Sequence, residues 1–226
     1  MDFYFGIFFI TVRKIWYMKE STITSGIVPK NTIGKAVDLE QSVTEATLED
    51  AMTTYKRACK RLLNPRTWHQ LSGALSASFK LETPDNSDPH RLAQIHDYLR
   101  IDIPAPGPAT GDGHDWVQVN NIADNPEPSA DESFGLTLIA SANPAKPEKG
   151  TAHFFREGAS STFIIKRNGN TVTTSYHGRN EKPNTKDGTL GDIIRNTVIA
   201  TGAMVGLSEL QWTALIKGFL EKEIGG

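Results

Sequence analysis

The segment 159–181 constrains the fold more than any other part of this chain. Two runs rich in β-branched and aromatic residues flank Asn168-Gly169, a pair preferred in two-residue type I′ turns because both central residues must adopt positive φ. The sequence therefore predicts an antiparallel hairpin. Counting outward from this turn places Ser160 opposite His177.

The two faces of this hairpin differ in chemistry, because side chains alternate along a strand. One face is predicted to join the core, and it carries Phe163, Ile165, Val172 and Tyr176. The opposite face is rich in hydroxyl groups, and it carries Ser160, Thr162, Ile164, Thr173, Ser175 and His177. This second surface suits either water or a ligand.

The remaining chain predicts a single α+β domain over residues 42–226, after a poorly structured extension and arm over residues 1–41. Within the extension, residues 1–17 precede a second methionine, Met18, and are interpreted as the product of an upstream start site, with a short membrane-surface anchor as the alternative. A capping box of Ser42 and Glu45 begins a helix over 42–63, and Asn64-Pro65 ends it.

Residues 68–181 predict a β-rich core of about seven short strands separated by Pro, Gly and Asp. The predicted strands are 70–81, 94–103, 116–122, 134–140, 151–155, 160–167 and 171–177. Such a pattern is typical of an antiparallel β-barrel or a strongly curved sheet. Capping residues at Thr189 and Ser208, with Gly206 between them, predict a C-terminal helical hairpin over 189–222.

Composition excludes several classes of protein. A formal charge of -2 gives no strong nucleic-acid signal. The single cysteine, Cys59, excludes an internal disulfide and a cysteine-rich zinc site, and it is compatible with the cytoplasm. The apolar run 3–12 is too short for a transmembrane segment, which needs about 20 residues. We therefore expect a cytoplasmic location.

Sequence motifs leave the chemistry open. The chain lacks a P-loop, a dinucleotide fingerprint, a nucleophile elbow and a His-Glu-x-x-His motif. Asp112, His114 and Asp115 lie close in sequence, but their spacing matches no established calcium loop, and no metal site is predicted. No cofactor follows from any motif.

The favoured interpretation is binding of a small polar or anionic ligand. Arg179 offers a bidentate contact to a carboxylate or phosphate, with His177 and Tyr176 orienting the ligand. Trp116 begins a strand directly after the long loop 104–115 and offers an aromatic platform.

Two alternatives from other classes remain open. The first is an acid-base or hydrolytic enzyme that uses His177 with Ser160 or Glu181. The second is an interaction protein that assembles as a homodimer through the apolar residues of its C-terminal helices.

Overall fold

The computed structural model describes residues 26–73, 77–83, 88, 90–102, 111–125, 131–184 and 198–222. Its strands are Lys35–Thr44 (β1), Ser78–Glu82 (β2), Tyr98–Asp102 (β3), Asp115–Asn125 (β4), Asp131–Ala140 (β5), Ser160–Asn168 (β6) and Thr171–Glu181 (β7). Its helices are Leu48–Leu62 (α1), Trp68–Ser72 (α2) and Val198–Leu220 (α3), with short 3-10 turns at Pro65–Thr67 and Pro147–Lys149.

The strands form one antiparallel sheet in the order β1-β7-β6-β5-β4-β3-β2. The predicted α+β class, with about seven strands in a sheet accompanied by helices, is confirmed. The barrel alternative is wrong, because β1 and β2 lie at opposite edges of an open sheet. Within the part of the chain that the structure describes, no helix has the length and apolar character needed to cross a membrane.

The core lies between one face of the sheet, called here the inner face, and the helices. Trp68 is fully buried, and its ring centre lies 5.1 Å from Phe79 and 5.2 Å from Phe163. Phe219 of α3 completes this aromatic cluster, 6.3 Å from Phe163. Burying such large apolar surfaces is the main force that holds α3 on the sheet.

Two predicted elements near the amino end are corrected. Residues 35–41, assigned to the loose arm, belong to β1, and α1 begins at Leu48 rather than at residue 42. Thr47 caps α1 by accepting a hydrogen bond from the Asp50 amide at 3.1 Å. β1 is an edge strand in which alternate residues are exposed. Its sequence therefore shows only a weak apolar pattern. Residues 1–25 lie outside the described residues, and the division into extension and single domain stays a prediction.

Two other predicted strands differ from the structure. In 70–81, the first residues belong to α2, and only β2 is a strand. Residues 151–155 form isolated bridges instead of a strand. There the His153 ring accepts a hydrogen bond from the Phe155 amide at 2.9 Å, a local bond that competes with pairing to a neighbouring strand.

The C-terminal hairpin is replaced by one continuous helix, α3, which runs through Gly206 and Ser208. A glycine inside a helix costs only about 1 kcal/mol relative to alanine. Burial of Leu215, Ile216 and Phe219 against the sheet outweighs that cost. The predicted residues 189–197 lie outside the described residues.

The β6-β7 hairpin is confirmed as a hairpin, but its predicted register is wrong. The turn is centred on Gly169-Asn170, and Gly169 has a φ of 54°, as expected for the first central residue of a type II′ turn. Ser160 therefore lies opposite Arg179, and His177 lies opposite Thr162. The composition of the two faces is unchanged, because the partners shift by two residues.

The hydroxyl-rich face points away from the helices and is called here the outer face. It is partly covered by the segment 26–34. A Cβ built on Gly135 would lie 2.9 Å from Ile27 Cγ2, so Ile27 packs directly on β5. At the other end of this segment, Asn180 Oδ1 accepts a hydrogen bond from the Thr32 amide at 2.7 Å. Thr162, on the outer face, is accordingly buried.

Candidate functional site

The residues predicted to share one site lie in three separate places. Tyr176 lies on the inner face, where its ring stacks on Trp212 with centres 5.2 Å apart. Its hydroxyl donates to Glu181 Oε1 at 3.1 Å and lies 3.2 Å from Ser161 Oγ. Burial raises the pKa of both Tyr176 and Glu181. This pair therefore lies under α3, on the opposite side of the sheet from His177.

Arg179 and His177 lie on the outer face, beside Asp38 of the edge strand β1. Arg179 donates to Asp38 Oδ1 at 2.7 Å and to the carbonyl oxygens of Val37 and Gly178 at 3.1 and 2.8 Å. Burial tends to raise the pKa of Asp38, but hydrogen bonds from Arg179 and His177 outweigh it and lower that pKa. The Arg179 guanidinium thus has protein acceptors around it.

Ser160 does not contact His177. It is buried opposite Arg179, and its hydroxyl has no hydrogen-bond partner among the described residues. The serine next to the imidazole is Ser175, whose Oγ lies 3.0 Å from His177 Nε2. The predicted cross-strand pair therefore loses its geometric basis.

Trp116 lies on the outer face of β4, several strands away from His177, and lines a cleft. The cleft encloses about 520 Å³ at the β2-β3-β4 side of the sheet. It is lined by Glu82, Thr83, Tyr98, Arg100, Asp112, His114, Trp116, Asn143, Pro144 and Ala145. This is the candidate ligand site, and we call it the outer cleft.

Strand pairing explains how the floor of the outer cleft forms. Glu82 lies opposite Tyr98, and Arg100 lies opposite Trp116, so their side chains meet on one face of adjacent strands. The Trp116 indole donates to the Gly111 carbonyl at 3.3 Å, which fixes the ring beneath the loop before β4.

Two loops form the wall of the outer cleft. Asp112 has a left-handed φ of 56°, which aspartate tolerates better than most residues. Lys146 Nζ donates to both Asp112 carboxylate oxygens at 2.7 and 2.6 Å, and Asn143 Nδ2 donates to one of them at 3.3 Å. The hydrogen bond from Lys146 lowers the pKa of Asp112. The loops 111–114 and 141–146 are thereby joined.

Charges of both signs alternate around the cleft. Arg100 lies 3.4 Å from Asp102 and 3.7 Å from Glu82, and His114 pairs with Asp102. Asp112 and His114, considered together in the sequence as metal ligands, have different partners. The Arg100 Nε atom finds no acceptor among the described residues.

Sequence reasoning identified Trp116 but missed its neighbours. Tyr98, Arg100 and Asp102 alternate along β3, which predicts a shared face, but alternation does not show which strand lies beside it. Asn143 comes from a loop far along the chain, and only strand pairing brings it near Asp112. A cluster of this kind is a tertiary feature without a local motif.

Neither a protein-family model nor a curated protein matches this chain. Among solved structures, truncated norcoclaurine synthase from Thalictrum flavum is similar with a TM-score of 0.34 and 11% identity, covering 87% of this chain and 100% of that chain. Ara h 8.0201 is similar with a TM-score of 0.32 and 9% identity, covering 83% of this chain and 100% of that chain. TM-scores this low support no inference about family or activity.

Proposed function

We propose that the protein binds a small polar ligand in the outer cleft. The observation that carries this proposal is a cleft of about 520 Å³ with aromatic, cationic and anionic side chains on adjacent strands. Small-molecule sites typically enclose about 300–1,000 Å³ and place a few polar groups beside apolar or aromatic ones. Tyr98 and Trp116 supply the aromatic part, and Arg100 supplies donors.

The charges favour an uncharged or zwitterionic ligand over an anion. Glu82 and Asp112 contribute two carboxylates to the lining, and Asp102 adds a third beside Arg100. Two cationic side chains oppose them, Arg100 in the lining and Lys146, which is paired with Asp112. An anion would meet more negative than positive charge at short range, which is unfavourable in a partly desolvated cleft. A polyhydroxylated ring or an amino acid can use donors and acceptors of both kinds.

Of the four residues predicted from the sequence to bind the ligand, one belongs to this proposal. Trp116 keeps its proposed role as part of the ligand site. Arg179, His177 and Tyr176 lie elsewhere, and the contacts of Arg179 with Asp38 give an anion at that position little support. A cytoplasmic location remains part of the proposal, on the basis of the single cysteine.

The burial of α3 gives the homodimer alternative little support. Leu215, Ile216, Phe219 and Leu220 of α3 are buried against the sheet of their own chain. Among the side chains that the structure describes in α3, the apolar ones from Leu215 to Leu220 are therefore used inside one chain. The oligomeric state stays a prediction that a sizing measurement can test.

Thermal unfolding with a panel of monosaccharides, amino acids and dicarboxylates tests the proposed function. A ligand present at about 100 times its Kd stabilises the folded protein by about 2.7 kcal/mol. We expect stabilisation by members of the first two classes and none by dicarboxylates. Titration calorimetry then measures Kd for any compound that stabilises the protein.

Variants of the cleft connect binding to this place. Arg100→Met should weaken binding about tenfold or more, because it removes charged hydrogen-bond donors and keeps a similar aliphatic length. Arg66→Met is the matched control, since Arg66 contacts His90 outside the cleft. Equal Kd values for Arg100→Met and the unaltered protein, or no binding by any compound of the panel, would reject the proposal.

A further inference from the structure

Three side chains on the outer face of β1 and β7 form a continuous hydrogen-bonded chain. Asp38 Oδ1 lies 2.6 Å from His177 Nδ1, and His177 Nε2 lies 3.0 Å from Ser175 Oγ. Strand pairing fixes the arrangement, because Asp38 lies directly opposite His177 and Ser175 precedes His177 by two residues on the same face. These residues lie apart from the outer cleft.

The hydrogen-bond chemistry gives the chain a direction. An ionised carboxylate only accepts hydrogen bonds, so Asp38 selects the tautomer of His177 that carries its proton on Nδ1. Nε2 then has a free lone pair and accepts a hydrogen bond from the Ser175 hydroxyl. Arg179 also donates to Asp38, at 2.7 Å, and keeps the carboxylate in place. A base with an orienting carboxylate and a hydroxyl within reach is the arrangement that activates a nucleophile.

We propose that Ser175, His177 and Asp38 form an acyl-transfer site that hydrolyses small activated esters. Ser175 Oγ attacks the ester carbonyl carbon and forms an O–C bond, while its proton passes to His177 Nε2. The bond between this carbon and the leaving oxygen breaks, and that oxygen takes the proton from Nε2. Water then attacks the acyl carbon and gives a proton to Nε2. The bond between that carbon and Ser175 Oγ breaks, the acid leaves, and Oγ takes the proton from Nε2. Asp38 acts as a positioning residue.

Access and amide geometry limit the substrate to small, reactive acyl groups. Ser175 is only 8% exposed, so a small acetyl group can reach it more easily than a long acyl chain can. β7 pairs with strands on both sides, so the ladders use the amides around Ser175. Few backbone donors therefore remain for a carbonyl oxyanion. In enzymes that have an oxyanion hole, removing one donor lowers the rate about 10²–10³-fold. An ester with a good leaving group compensates for this.

The test is acetylation of the full chain by p-nitrophenyl acetate, followed by intact mass and peptide mapping. We expect one acetyl group on Ser175, release of nitrophenol, and slow deacylation. Ser175→Ala should abolish this acetylation, and His177→Gln should slow it by about 10²–10⁴-fold, the usual contribution of a general base.

Two further variants separate the alternatives. Thr173 lies on the same face and strand as Ser175, so the variant Thr173→Ala should retain normal acetylation of Ser175. Ser160→Ala tests the serine favoured by the predicted register. Acetylation that survives in Ser175→Ala, that maps to a lysine, or that is lost in Ser160→Ala overturns the proposal, provided that circular dichroism shows each variant folded.

Discussion

Tyr55, which is buried, and Cys59, which is partly buried against the core, form a small polar pair on α1. Burial, the largest effect, raises the pKa of the Cys59 thiol to about 12, and it also raises the pKa of Tyr55. Both side chains remain neutral at physiological pH, which suits a position against the core. The single cysteine thus packs against the core of the fold.

Low reactivity of Cys59 is the first expected outcome. With a pKa of about 12, the thiolate fraction near pH 8 is on the order of 10⁻⁴, and the thiolate is the reactive form. Alkylation by iodoacetamide should be on the order of a thousandfold slower in the native protein than in urea. Comparable rates in the two states would show that the thiol is not buried as described.

Glu181 gives an expected dependence of stability on pH. Burial raises its pKa above 4.5, so the folded protein binds this proton more tightly than the unfolded chain does. Stability should therefore fall as the pH rises from about 4.5 through the raised folded-state pKa. Glu181→Gln keeps an acceptor for Tyr176 and removes this titration. The variant should gain stability relative to the parent between about pH 4 and about pH 7.

Urea unfolding of the two proteins at both pH values measures this difference. The control is Glu148→Gln, since Glu148 lies in the Pro147–Lys149 turn, which has no buried residue. A difference between Glu181→Gln and its parent that is the same at both pH values would contradict the assignment.

At the scale of elements, helix α3 approaches α2 closely at Gly218. A Cβ at this position would lie 2.7 Å from the Leu71 carbonyl oxygen and 2.8 Å from Leu71 Cβ. Arg61 donates to the Gly218 carbonyl at 2.9 Å and ties α1 to the same place. Helices α1, α2 and α3 therefore meet at Gly218, where α3 has no side chain.

Gly218→Ala should destabilise the protein although alanine is the better helix former. Alanine contributes about 1 kcal/mol of helix propensity, whereas forcing α2 and α3 apart costs about 1–3 kcal/mol. We expect a net loss of up to about 2 kcal/mol in urea unfolding. Gly26→Ala is the control, because a Cβ at Gly26 meets nothing within 4 Å. A stabilised Gly218→Ala variant would show that the helices are not in contact there.

Local patterns predicted some elements and not others, for physical reasons. Alternation assigned Phe163 and Tyr176 to the correct face of the hairpin, because a period of two survives an even shift in register. The turn was displaced by one residue, since both Asn-Gly and Gly-Asn suit tight hairpins. β1 was missed because its alternation is weak: Val37, Leu39 and Val43 share a face, but Gln41 interrupts them. Its partner, β7, lies more than a hundred residues away, so no hairpin turn marks the pairing.

At the scale of the whole molecule, the aromatic cluster joins the helices to the middle of the sheet. The Phe163 ring lies within 5.2–6.3 Å of the rings of Trp68, Tyr176, Trp212 and Phe219. The sequence placed Phe163 and Tyr176 in the core, but it does not show that the rings of α2 and α3 meet them there. Their convergence depends on where α2 and α3 dock.

Phe163→Ala should cost about 3–5 kcal/mol of unfolding free energy, because it leaves a cavity at the centre of this cluster. The matched control is Phe155→Ala, since Phe155 is only partly buried and contacts His153 and Phe154 at the periphery. Urea unfolding followed by tryptophan fluorescence measures both variants. Equal losses would place the centre of the core elsewhere.

The pairing of β1 with β7 sets an order of events during synthesis. The ribosome makes β1 early, but the strand against which it pairs is complete only at Glu181. At about 5–20 residues per second, the chain between them takes on the order of ten seconds to make. During that interval β1 has no partner strand. Charged side chains keep it hydrated, namely Lys35, Asp38 and Glu40. Of the strands that the structure describes, the earliest along the chain is thus among the last to join the sheet.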